Sequence, residues 1–176
     1  MKTNTNQTAK CGRLLCEFRL LQHGLITEPG DGSSFVARSK DGENRFTFQI
    51  KTCGIAKPAG GTGRLALDWW IPGDCVTDHV ALVDVTGVQI WFFTFQEITE
   101  LAQQEKDGMM HFYMYIDPTA KIRPDSKPHH DYEFRRYLVE NVIPRFGISK
   151  KPNKSEQATP RKPSDQIKLD TGAPLL

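Results

Sequence analysis

The sequence predicts an α/β fold, a mixed central sheet flanked by helices, and three observations carry that prediction. Apolar residues recur at helical spacing through "CGRLLCEFRLLQHG", residues 11–24. A hairpin signal follows, in which "SFVARS" and "RFTFQIKT" flank the turn "KDGEN". Further on, the apolar runs "HVALVDV" and "VQIWFFTF" meet at Thr86–Gly87 and read as two more strands.

Each element has its own local signal. In the first helix Leu14, Leu15, Phe18 and Leu21 form the apolar stripe, and Gly24 suits the C-terminal cap. "LITEPGDGSS" is an extended piece entering a turn rich in Gly, Pro and Asp. Within "RFTFQIKT", Phe46, Phe48 and Ile50 share one face of a strand, while Gln49 and Lys51 share the other. The loop "CGIAKPAGGTG" is flexible by composition and leads into "RLALDWWIPGD". "VQIWFFTF" has the unbroken apolar character of a strand buried on both faces. "QEITELAQQEK" predicts a helix and "MMHFYMYID" a strand. "DYEFRRYLVENVIPRFG" predicts a closing amphipathic helix broken near Pro144.

The 176 residues, 38% of them hydrophobic, suffice for one core of ordinary size, expected over residues 10–147. Residues 1–9 are expected to be disordered. So is 148–176, where four prolines and scattered charges leave little apolar surface to offset ordering entropy. The alternative for this tail is a basic arm touching phosphates through Lys150, Lys151, Lys154, Arg161 and Lys162. No internal repeat is visible. The formal charge of +2 does not by itself demand a nucleic-acid partner. No apolar run reaches the length of about 18 residues that a membrane helix needs. The opening "MKTNTNQTAKCGR" lacks the apolar centre of a secretion signal, so a cytoplasmic protein is expected. Cys11, Cys16, Cys53 and Cys75 have no C-x-x-C spacing and read as reduced structural thiols.

Four polar positions combine in a chemically suggestive way. Glu17 borders the apolar stripe of the first helix, Asp31 sits in the turn before the hairpin, and Gln49 and Lys51 share a strand face. Carboxylate and amide oxygens are hard ligands of the kind Mg²⁺ takes. A lysine beside them could orient a water or stabilise charge developing on a phosphate. The plainer alternatives stand next to these: Gln-x-Lys as a half-solvated strand face, Asp31 as a turn residue, Glu17 as a surface charge.

The order of helix with Gly and Glu, Pro-Gly-Asp turn, hairpin and Gln-x-Lys-Thr resembles the PD-(D/E)XK nuclease superfamily. It is closest in pattern to the branches ending in Gln-x-Lys, which include intron-encoded homing endonucleases and Holliday-junction-resolvase relatives. The likeness spans about residues 10–105 and takes in "DWWIPGD…DHVALVDVTGVQIWFF". It implies a restriction-endonuclease-like core and Mg²⁺- or Mn²⁺-dependent hydrolysis of DNA, with a homodimer as a possible assembly. Asp31, Glu17 and Gln49 would hold the metal, and Lys51 would position the attacking water. Ser34, Thr52, Arg64 and Trp69 are the candidate nucleic-acid contacts. The family places an Asp at the start of the first hairpin strand, where "SSFVA" has Ser33 or Ser34, and Asp31 comes two or three residues earlier.

A second function class follows from that departure: a catalytically inactive PD-(D/E)XK-like module binding nucleic acid or protein. Two further patterns admit both a functional and a structural role. In "PHHDYE", His129, His130 and Asp131 could meet a metal or simply cap the last helix. Trp69 and Trp70 could stack on bases or belong to the core.

Overall fold

The computed structural model describes residues 5–30, 33–59, 63–120 and 127–146. Helix α1 (Thr5–Gln22) is followed by strands β1 (Ile26–Pro29), β2 (Ser34–Arg38) and β3 (Arg45–Cys53). Then come β4 (Lys57–Ala59), β5 (Arg64–Pro72), β6 (His79–Asp84) and β7 (Gln89–Thr94). Helix α2 (Phe95–Leu101), β8 (Gln104–Lys106), β9 (Met109–Tyr115) and α3 (Val139–Val142) complete the regular elements.

Five of these strands form a mixed sheet in the order β1-β2-β3-β6-β7. Its neighbours are antiparallel except β3 and β6, which run parallel, so the α/β class with a mixed central sheet is observed. The other four make a second, antiparallel sheet in the order β4-β5-β9-β8.

Strand alternation sets the layers. Phe48, Ile50, Ala81, Val83, Ile90 and Phe92 meet Cys16 and Leu20 of α1 on one face of the mixed sheet. Cys53, Val80, Leu82, Trp91 and Phe93 meet Leu67, Trp69, Phe112 and Met114 of the second sheet on the opposite face. Ile90 to Phe93 are all no more than 2% exposed, as expected for a strand covered on both sides.

Local expectations are corrected at several points. Helix α1 begins at Thr5, so residues 5–9, where no order is expected, form its first turns. Its core face is Gly12, Cys16 and Leu20; Leu14, Phe18 and Leu21 are 55%, 55% and 54% exposed. Proximity decides this rotation. A Cβ on Gly12 would lie 2.2 Å from Thr52 Oγ1, so only the small-residue side can lie so close to β3. The expected 96–106 helix ends at Leu101, under a capping box from Thr94 and Glu97. Gln104–Lys106 instead pairs with β9, because Asp107 (φ 52°) and Gly108 (φ 72°) both adopt the left-handed conformation of a tight hairpin turn.

The closing helix is broken at Leu138 as well as near Pro144, where α3 ends at Val142. Residues Asp131–Tyr137 and Ile143–Phe146 are 3₁₀ turns, and Leu138 takes an extended conformation that bridges to Trp91 of β7. The loop expected to be flexible contributes β4. The 148–176 tail, with its basic residues, lies outside the described residues.

Candidate functional site

Strand β2 starts at Ser34, paired with Gln49, whereas β3 continues to Cys53. Past Ile50, whose amide donates to the Ser33 carbonyl at 3.0 Å, β3 therefore has β6 as its strand neighbour on one side only among the described residues. The uncovered end opens into a cleft of about 740 Å³. Its walls carry Lys10 and Arg13 of α1, Ser33, Lys51 of β3, Lys57 of β4 and Asp68 of β5.

Gln49 and Lys51 share a strand face, as expected. The Gln49 amide nitrogen donates to Ser33 Oγ, which ties the residue before β2 to the face that carries Lys51. Burial holds the Lys51 ammonium below the ordinary lysine value, with Cys75 acting weakly in the other direction. An ammonium that is easier to deprotonate and poorly hydrated interacts strongly with an anion brought beside it.

The cleft is strongly basic. Among the described residues no carboxylate lies within ion-pair distance of Lys10, Lys51 or Lys57. Arg13 pairs with Glu17 at 2.8 Å. Asp68 lines the cleft, yet its side chain follows the alternation of β5 to the outer face of the second sheet, with Oδ2 3.5 Å from His111 Nε2.

The expected site residues thus divide. Ser33, Gln49 and Lys51 are brought together. Glu17 is half-buried and reaches the cleft only through Arg13. Asp31 lies outside the described residues. Ser34 opens β2 opposite Gln49. Thr52 lies under Gly12, its buried hydroxyl without a hydrogen-bond partner in the described residues. One nucleic-acid candidate is corrected. Trp69 is 2% exposed and donates its indole N–H to the Val83 carbonyl at 3.4 Å, so it belongs to the core and is closed to bases. Arg64, at the start of β5, is exposed outside the cleft lining and pairs with Asp117 at 3.1 Å. Trp70, by contrast, is 38% exposed and stacks on His111 with centroids 4.2 Å apart.

Among the described residues there is no cluster of three His, Cys, Asp or Glu side chains that could hold a metal. In "PHHDYE" the histidines are buried, and Glu133 accepts the backbone amides of His129 and His130 at 2.9 and 2.7 Å, which is the capping role. The four cysteines are free thiols, as expected. No motif in the sequence marks Lys10, Arg13 or Lys57. Lys10 and Arg13 at i, i+3 were legible as one helix face, but nothing in the sequence said that this face overhangs the end of β3.

No family model and no curated protein matches the chain. Among solved structures, the bacterial homing endonuclease I-Ssp6803I is similar, with a TM-score of 0.53 and 12% identity over 85% of this chain and 99% of that one. At that identity the likeness is one of fold alone. MepB is matched at a TM-score of 0.32 and 12% identity over 65% of this chain and 83% of that one, too slight a likeness to bear on function. No helix among the described residues is long and apolar enough to cross a membrane.

Proposed function

We propose that this chain is a DNA endonuclease of the PD-(D/E)XK type, dependent on a divalent metal and hydrolysing phosphodiester bonds in the cleft at the end of β3. The observation that carries the reading is the half-buried Lys51, two residues along β3 from the Gln49 that holds Ser33, in a basic cleft. The fold shared with a homing endonuclease supports it.

In this reading Lys51 orients the attacking water and stabilises charge that develops on the phosphate. Gln49, its amide nitrogen engaged by Ser33, would offer its oxygen to the cation. Glu17, now paired with Arg13, and Asp31 would supply the carboxylates. These are hard oxygen donors, the chemistry Mg²⁺ or Mn²⁺ accepts together with retained waters. The metal, when bound, supplies Lewis acidity and a more acidic water. Cutting both strands of a duplex calls for two sites, and a homodimer is the assembly this reading takes.

The second reading is a binding module on the same fold, and the Arg13–Glu17 ion pair favours it by occupying a carboxylate the metal needs. Cleavage of supercoiled plasmid with Mg²⁺ or Mn²⁺ separates the two. The first reading expects nicking that Lys51→Ala reduces by at least about 10²-fold while the circular dichroism spectrum is unchanged. Undiminished cleavage by Lys51→Ala removes Lys51 from the mechanism. DNA binding with no cleavage in either metal selects the module.

A further inference from the structure

We infer that the amino-terminal half of α1 and the β3–β4 connection form a second anion cradle, in which Lys10, Arg13 and Lys57 hold a backbone phosphate flanking the one beside Lys51. Identifying the anion as nucleic acid rests on the function proposed above; the cradle itself does not require hydrolysis.

The first turns of α1 do no core packing. The first buried residue of the helix is Gly12, yet the helix extends back to Thr5. Those turns are nevertheless held in place. A Cβ on Gly54 would lie 3.0 Å from Thr8 Cγ2, so the end of β3 and the start of α1 are in near contact through a glycine. Lys10 and Arg13 of α1 and Lys57 of β4 all line the cleft beside this contact.

The charge arrangement is unfavourable without a ligand. Lys10, Lys51 and Lys57 line one cleft with no carboxylate in ion-pair distance among the described residues; Asp68, which also lines it, is turned to His111, and Glu17 is paired with Arg13. The first turn of α1 carries no acidic residue either. Like charges held together repel, and a polyanion threading the cleft relieves that repulsion while releasing its own counterions. Lys51 lies at the uncovered end of β3, so one phosphate beside it and another under Lys10 and Lys57 make the cleft a track for a chain of phosphates rather than a pocket for one.

The test measures binding of a labelled DNA duplex in EDTA, where no hydrolysis occurs, across a range of KCl concentrations. Lys10→Ala and Lys57→Ala are each expected to weaken binding and to lower the slope of log K against log[KCl] by about one. Lys106→Ala, on the exposed strand β8 away from the cleft, is the control and is expected to leave both unchanged. Lys10→Ala and Lys57→Ala behaving like the control would overturn the cradle. Inorganic phosphate competing as well per mole as duplex would overturn its assignment to a polyanion. Absent cleavage by the wild-type protein in Mg²⁺ and Mn²⁺ would sink the nuclease reading while the slope change, if seen, leaves the cradle standing.

Discussion

His79 sits among the rings of Phe46, Phe48 and Phe146, with centroids 5.8, 5.3 and 5.0 Å from its own. Burial pushes its imidazole below the usual histidine value, against weaker opposing pulls from Asp78 and Glu97. The folded state therefore binds protons there less readily than the unfolded chain, whose histidine titrates near about 6.5. Its contribution to stability is full above that value and declines as pH falls through it, levelling below the lowered folded value. Urea unfolding at pH 7.5 and 5.5 is expected to show lower stability at 5.5, and His79→Asn is expected to flatten the difference. A pH dependence unchanged in His79→Asn assigns it elsewhere. Asp78 does not confuse the test. The Thr47 amide and hydroxyl hold its carboxyl below the usual aspartate value, so its effect is confined to more acidic solution. At this scale the sequence was informative where alternation governs, as for Gln49 and Lys51. It left Glu17 open between a metal ligand and a surface charge, because the partner of a charge on a helix border depends on which way the helix is turned.

Helix α1 shows how an element can be legible in kind and illegible in orientation. Two apolar stripes are available on it, and hydropathy favours the larger one, Leu14–Phe18–Leu21. The structure buries the smaller one, Gly12–Cys16–Leu20, since only small groups allow the helix to lie against Thr52 of β3. Cys16 is so enclosed that burial, aided by Glu17, raises its thiol far above the ordinary range, which leaves it inert. The consequence is measurable. Leu20→Ala is expected to cost about 2–5 kcal/mol in a urea melt, and Phe18→Ala about 0.5 kcal/mol or less. The reverse order would mean that the helix is rotated to the hydropathic stripe. In α2 the competition ran between helix propensity in "QQEK" and turn chemistry in Asp107–Gly108. The turn prevailed because two residues with positive φ commit the chain to a hairpin whatever precedes them.

Across the whole molecule, both cores depend on the same strands. Ala81, Val83, Ile90 and Phe92 belong to the helix-side core, and Val80, Leu82, Trp91 and Phe93, their immediate neighbours in the chain, to the sheet-side core. Neither layer can be lost without exposing one face of β6 and β7, so unfolding is expected to be a single transition. Tryptophan fluorescence, dominated by Trp69 and Trp91 between the sheets, should coincide with far-UV circular dichroism in urea. Two separated transitions would show that the layers fold independently. Local periodicity and turn residues are enough for the class of fold, the hairpin, the doubly buried β7 and the Gln49–Lys51 face. Packing between distant elements settles that a second sheet covers the mixed one, that Trp69 is sealed from solvent, and that Lys10, Arg13 and Lys57 line the same cleft as Lys51. Those outcomes depend on which surfaces fit closely enough to exclude water, a property of pairs of elements that no single stretch of chain encodes.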